Sequence, residues 1–216
     1  YCPPREAVAQ LARRLAETAP RCLLVVDEAY MDFAENEQES SLLASGILPE
    51  NTAFLRTFSK SFGLAGLRVG YGILPPGLAD FWWRARLPFS VNILAEEAAL
   101  AALADTAFLD ATMHTVRRGR NVLTVGLTAL GCMVWPSAAN FVLFRLPENT
   151  LGAQDCFEAL LRRGIIIRPL KSYNLPEHLR VSVGNKDENR AFLAAMDAIL
   201  LKKHRAANGL ENKELK

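Results

Sequence analysis

Lys60 stands between Ser59 and Ser61 in the stretch "TFSKSFGLAGLRVGYG", residues 57–72, and Arg68 follows eight residues later. A lysine attacks a carbonyl only as the neutral amine, so it needs a setting that partly desolvates it or holds a cation nearby. The hydroxyls of Thr57, Ser59 and Ser61 together with the Arg68 guanidinium supply what a phosphate requires, with paired charge-assisted bonds from the arginine. Gly63, Ala65 and Gly66 let the backbone between them bend closely. Upstream, the apolar run "CLLVVDEAY" delivers Asp27 and, three residues on, Tyr30.

An amine for a carbonyl beside a nest for a phosphate describes the two ends of pyridoxal 5'-phosphate. Its ring adds one demand, a carboxylate at the ring nitrogen that keeps the pyridinium protonated and strengthens the electron sink. Asp27 is the candidate for that role, and Tyr30 for a hydrogen bond to the phenolic oxygen. Each residue also has a plainer reading. A strand-end aspartate can serve as a turn or helix-cap residue, a lysine between serines need do nothing, and an arginine such as Arg68 can sit in a surface ion pair. The order and completeness of the set favour the chemistry.

The elements that must position these residues are legible from periodicity. Val8, Leu11, Ala12 and Leu15 recur at helical spacing over Arg5–Thr18 before Pro20. "CLLVVDEAY" reads as a strand buried on both faces whose carboxyl end opens into a site, "AENEQESS" as a loop, and "TAFLRTFSK" and "LRVGYGILP" as further strands. In α/β sheets, ligands gather outside the carboxyl ends of strands, where Asp27 and Lys60 both fall. Helix formers fill Leu94–Ala104, and a second helical stretch runs from about Thr106 to Leu130, where Gly131 stops it. Trp82 and Trp83 are expected to pack a helix onto the sheet. The rhythm then changes to "CMVWP", "NFVLFRL", a helix around "AQDCFEALLRRG", "IIIRPL", "HLRVSVG" and an amphipathic helix over 186–203, before a polar tail expected to fray. The expectation is an α/β chain of two parts, 1–112 and 113–216, the second a smaller α+β layer.

Composition narrows the classes. Half of the 216 residues are apolar, enough for a folded core. The 25 Lys and Arg nearly balance 23 Asp and Glu, so no field argues for nucleic acid or a membrane surface. Cysteines at 2, 22, 132 and 156 have no C-x-x-C spacing, and are expected to be reduced in a cytoplasmic protein. No membrane span or signal pattern is present. His114, His178 and His204 are scattered and do not suggest metal ligands.

"VVDEAYMDF" followed by "LRTFSKSFGLAGLRVGYG" resembles the class I/II aminotransferases of PLP fold type I, most closely their histidinol-phosphate branch. The likeness continues through "RLPFSVNILAEEAALAAL", "SAANFVLF", "RGIIIRPL" and "LRVSVGNKDENRAFL". It implies the C-terminal part of a large, mostly parallel cofactor domain, followed by a small domain. It further implies that Lys60 joins the cofactor's aldehyde and shuttles a proton, that Asp27 pairs with the ring nitrogen and Tyr30 with the phenolic oxygen, and that Thr57, Ser59 and Arg68 hold the phosphate. Arg180 matches the arginine for the substrate's carboxylate or phosphate, and Arg168 is a second substrate-side cation, with a strand-end ion pair as its plainer role. Asn92 and Asn140 fall in segments that line the cleft in relatives. Members of the family are longer at the N-terminus, where a glycine-rich turn, a ring-stacking aromatic residue and an N-P-x-N-P-T-G-like loop complete the site, and this sequence contains none of these. The resemblance therefore implies weak cofactor binding and little turnover by this chain alone. It also implies a homodimer in the full-length form, and uncovered sheet edge or apolar surface that drives association.

Three functions compete. The first is transfer of the amino group of L-histidinol phosphate to 2-oxoglutarate, giving imidazole acetol phosphate and glutamate in histidine biosynthesis. The second is threonine-phosphate decarboxylation in cobalamin biosynthesis, which "LPFSVN" also resembles. The third is a non-catalytic remnant or partner-binding piece. A dinucleotide site is excluded, because no G-x-G-x-x-G follows a strand and opens a helix.

Overall fold

The computed structural model describes residues 2–148 and 150–207, with side chains through 201. The tail expected to fray begins at 202, yet its backbone continues the last helix through Ala207; the rest, from 208 onward, lies outside the described residues, as does the side chain of His204. The chain divides into two compact units, Tyr1–His114 and Thr115–Lys216.

The first unit opens with α1 (Arg5–Thr18) and carries a three-stranded sheet of β1 (Leu24–Asp27), β2 (Thr52–Thr57) and β3 (Gly70–Ile73), in the order β1-β2-β3. β1 pairs in parallel with β2, and β3 returns antiparallel. Between β1 and β2 lie a 3-10 turn, Met31–Phe33, and the single-turn α2 (Glu37–Ser40). After β3 come α3 (Pro76–Ala85), α4 (Ile93–Ala104) and α5 (Thr106–Ala129), which runs through the division point.

β1 is not buried on both faces. Its residues alternate in exposure, and Val25 is 52% exposed. As an edge strand it has a partner on one side only, and Val25 lies on the same face as Leu55 of β2, also exposed. The opposite face carries Phe54, fully buried. Trp82 and Trp83 do not pack α3 onto the sheet either. Both are exposed, meeting each other edge-on at 5.3 Å, with the Arg86 guanidinium 4.3 Å from the Trp83 ring. Phe81, Leu87, Phe89, Ile93 and Leu94 are exposed beside them in sequence.

Gly70 has a steric reason. It faces Thr57 across the β2–β3 pair, and a Cβ there would lie 2.6 Å from the Arg56 carbonyl oxygen. Any side chain would push β3 off the residue that begins the lysine turn.

The second unit holds β4 (Met133–Val134), β5 (Phe141–Arg145), β6 (Arg168–Leu170) and β7 (Leu175–Ser182) in the order β4-β5-β7-β6, every pair antiparallel. α5 ends at Ala129, and two residues on Gly131, with a φ of +78°, is the left-handed stop that glycine takes without strain. Leu123 and Leu127 of α5, Val142 and Phe144 of β5, and Leu179 of β7 close one core with Cys156 and Leu160 of α6 (Ala153–Leu161) and Met196 of α7 (Lys186–Ala207). Burial pushes the Cys132 thiol up to about 11 and that of Cys156 up to about 12, so both are inert packing groups. "IIIRPL" forms a strand only from Arg168 onward. Among the described residues no helix is long and apolar enough to cross a membrane, and no His, Cys, Asp or Glu group could hold a metal ion.

Candidate active site

β1 and β2 end side by side, and the turns that follow bring the candidate residues of the first unit together. The ladder closes at Asp27 opposite Leu55, and the Glu28 amide then donates to the Leu55 carbonyl at 2.9 Å. One Asp27 carboxylate oxygen accepts from the Ala29 amide at 3.0 Å, which folds the chain into a turn just before Tyr30. That turn is the plainer role foreseen for Asp27, and it leaves the second carboxylate oxygen for a ligand. Lys60 Nζ lies 5.3 Å from the centre of the Tyr30 ring.

The lysine turn is built by its neighbours. Phe58 is buried against Phe62 and Tyr71, and its amide donates to the Val69 carbonyl. The Ser59 amide donates to Thr57 Oγ1 at 3.0 Å, and the Gly63 amide to the Lys60 carbonyl at 3.1 Å. Arg68 takes a left-handed φ of +56°, uncommon outside glycine, which turns its side chain back over the loop. Its Nη1 donates to the Ala65 carbonyl at 2.8 Å and reaches Ser59 Oγ at 3.5 Å. No carboxylate pairs with Arg68 or Lys60 among the described residues, which removes the surface ion-pair reading. Thr57, Ser59 and Arg68 thus present two hydroxyls and a cation without a carboxylate partner along the connection from β2 to β3.

Ser61 does not belong to that group. It is fully buried and its hydroxyl donates to Asp32 Oδ2, away from Ser59 and Arg68. The residue after a strand is aimed by turn geometry, not by sequence spacing. Behind the turn lies a cluster that spacing also missed. Arg56 donates to Glu28 Oε2 through Nε at 2.9 Å and Nη2 at 2.7 Å, to Asp32 Oδ1 at 3.3 Å, and pairs with Glu37 at 2.6 Å. Ser41 Oγ donates to Glu28 Oε1 at 2.7 Å. Burial works against the Arg56 charge, and Glu28 and Glu37 more than offset it, holding the guanidinium above its usual range.

Asn92 caps α4, accepting from the Ala95 amide at 2.9 Å, and its Nδ2 reaches the Leu67 carbonyl. That is a structural role. Asn140 precedes β5, where its carbonyl accepts from the Val183 amide.

In the second unit, Arg168 of β6 stands directly opposite Arg180 of β7. Like charges in that position repel, and among the described residues neither has a carboxylate partner. Each lies against an aromatic ring instead, Arg168 at 5.6 Å from Tyr173 and Arg180 at 4.9 Å from Phe141. Two cations without a carboxylate partner among the described residues thus stand side by side on neighbouring strands.

A lysine just past the end of β2 thus stands beside hydroxyls and a guanidinium, with a carboxylate at the end of the neighbouring strand. A sequence model of "Aminotransferase class I and II" matches residues 2–196, and the chain belongs to that family. The histidinol-phosphate aminotransferase of Nitratidesulfovibrio vulgaris is 62% identical over 200 residues, covering 93% of this chain and 52% of its own length. That of Oleidesulfovibrio alaskensis is 58% identical over 201 residues, with the same coverage. The crystal structure of the Sinorhizobium meliloti histidinol-phosphate aminotransferase in complex with pyridoxal-5'-phosphate superposes with a TM-score of 0.81 at 31% identity, over 92% of this chain and 53% of that one. The fold is that of the PLP fold type I enzymes. The chain spans about half the length of the curated relatives it matches.

Proposed function

We propose that this chain carries the lysine-bearing part of a histidinol-phosphate aminotransferase, which moves the amino group of L-histidinol phosphate to 2-oxoglutarate and yields imidazole acetol phosphate and glutamate. The observation that carries the reading is the 62% identity to a relative of that name, in a chain whose Lys60 and anion nest are assembled in one unit. The donor set fits pyridoxal 5'-phosphate: an amine for the aldehyde at Lys60, a carboxylate at Asp27, a phenol at Tyr30, and two hydroxyls with a guanidinium at Thr57, Ser59 and Arg68. That cofactor supplies the carbonyl that accepts the amino group and the electron sink that makes a substrate C–H bond acidic.

The residues of this chain do the rest. Lys60 would hold the cofactor's aldehyde carbon, and its amine is the group of this chain that would take up and return a proton there. Asp27 keeps the ring nitrogen protonated, and Tyr30 donates to the phenolic oxygen. Thr57, Ser59 and Arg68 anchor the phosphate and so fix the ring's orientation. Arg168 and Arg180 take the substrate's anionic group, and a dianionic phosphate relieves the repulsion between them. The four unpaired cysteines agree with work in the cytoplasm. The exposed apolar side chains of Phe81, Trp83, Leu87, Phe89 and Leu94 support association of two copies. Sedimentation equilibrium is expected to give a dimer mass, and a monomer at micromolar concentration would remove that part of the reading.

The deciding assay compares L-histidinol phosphate plus 2-oxoglutarate with threonine phosphate, scoring glutamate formed against carbon dioxide released. Glutamate is expected. Arg168→Ala and Arg180→Ala should each raise KM for L-histidinol phosphate by about 10- to 100-fold, the worth of a hydrogen bond to a charged group, with a smaller effect on phosphate-free histidinol. Equal effects on both substrates would take the phosphate away from the arginine pair, and carbon dioxide without glutamate would favour the decarboxylase.

A further inference from the structure

We propose that Asp32 is a positioning residue that latches the Lys60 turn to the turn carrying Asp27 and Tyr30. This rests on the preceding reading, in which those three side chains grip one cofactor. They sit on two separate strand ends. The β1–β2 ladder closes at Asp27 opposite Leu55, before either turn begins, and the Glu28 amide adds one further bond to Leu55. Past that point the ionic and hydroxyl groups join the turns. Asp32, on the 3-10 turn just after Tyr30, accepts from Ser61 Oγ through Oδ2 and from Arg56 Nη1 through Oδ1 at 3.3 Å. Ser61 is the residue next to the lysine and is fully buried, so its fixed hydroxyl sets the direction in which Lys60 leaves the backbone.

Arg56 completes the frame. It holds Glu28, the neighbour of Asp27, with two bonds to one carboxylate oxygen, while Asp32 ties the same guanidinium to the far side of Tyr30. The segment 28–32 is thereby gripped at both ends by one strand residue, and Asp32 extends the grip to the lysine turn. Strand alternation sends Arg56 to the opposite face from Thr57, so the latch works from behind the site. Asp32 acts through Ser61 and Arg56, the two side chains it bonds.

Its side chain is about one-fifth exposed, so truncation should not unfold the unit. Asp32→Ala removes both bonds. Asp32→Asn can keep both, its Oδ1 accepting from Arg56 and its amide donating to Ser61 Oγ. The first measurement is hydrogen exchange on the cofactor-free chain, with the urea midpoint as a control for the fold. Asp32→Ala is expected to speed exchange about tenfold in peptides over 27–34 and over 57–64 together, and Asp32→Asn to leave both near wild type. Faster exchange in 27–34 alone, or in neither, overturns the latch. The second measurement is titration with pyridoxal 5'-phosphate, reading the visible absorbance and circular dichroism of the bound ring. Asp32→Ala should weaken binding about tenfold and alter the dichroic band, with recovery in Asp32→Asn; wild-type affinity and band in Asp32→Ala overturn the positioning role. If the wild-type chain gives no Lys60-dependent band, the cofactor reading fails, and the exchange measurement still decides the latch by itself.

Discussion

Lys60→Ala is expected to abolish the visible absorbance that develops when pyridoxal 5'-phosphate is added to the purified chain, and to lower any transaminase turnover by at least about a thousandfold. Two losses combine in that number. The amine proposed to capture the aldehyde carbon is gone, and so is the base proposed to move the proton, a role worth about 10²- to 10⁴-fold by itself. No second lysine of the first unit can substitute, since Lys60 is the only lysine in that stretch of sequence. Borohydride reduction supplies the direct check: in the wild-type chain the cofactor's mass should be fixed to the peptide that contains Lys60, and in Lys60→Ala to none. The phosphate nest proposed at Thr57, Ser59 and Arg68 is untouched by the substitution, so the variant should still bind the cofactor reversibly and without the band. A band of wild-type strength in Lys60→Ala, or label on another lysine, would end the assignment.

How much of this was legible beforehand depended on how far apart the cooperating residues lie. Strands, helices and the placement of Asp27 and Lys60 at strand ends follow from local periodicity, and the bounds of α1 match the expected helix. Residues on one connection, such as Ser59 and Arg68 nine positions apart, could be grouped from spacing, and their atoms meet. Ser61 could not, because a hydroxyl two residues along the same turn points the other way. Arg56 was hidden by the apolar run around it, since its partners Glu28, Asp32 and Glu37 lie 28, 24 and 19 residues earlier and converge only once β1 pairs with β2. The tryptophans misled for a different reason. Apolar residues on a helix predict that a face is covered without saying by what, and within the first unit Trp82 and Trp83 meet solvent. The same holds for Val25, which reads as core in the sequence and lies on an edge strand in the fold. The opposition of Arg168 and Arg180 is likewise a matter of register, which the two separate motifs do not reveal.

Arg56→Met is expected to destabilise the first unit by about 3–5 kcal/mol, read as a fall in the urea midpoint with little change in slope. The size follows from what is left behind. The Glu28 side chain is 1% exposed and loses both bonds to the guanidinium, keeping only the Ser41 hydroxyl, so a carboxylate remains desolvated with one neutral donor. Asp32 and Glu37 are more exposed and can recover solvent, which makes Glu28 the main source of the cost. The double substitution Arg56→Met, Glu28→Met separates this account from a loss of packing. Removing both charges takes away the stranded carboxylate and leaves the Ser41 hydroxyl still accepting from the Ala44 amide at 3.0 Å, so most of the lost stability should return. If packing of the arginine stem were the origin, the double variant would be at least as unstable as the single one. The two variants also part stability from function. With the Arg56 grip on Glu28 and Asp32 gone in both, the restored double variant should fold well and still bind pyridoxal 5'-phosphate more weakly than wild type, because holding the Asp27–Tyr30 turn to the lysine strand is a task that apolar packing does not perform.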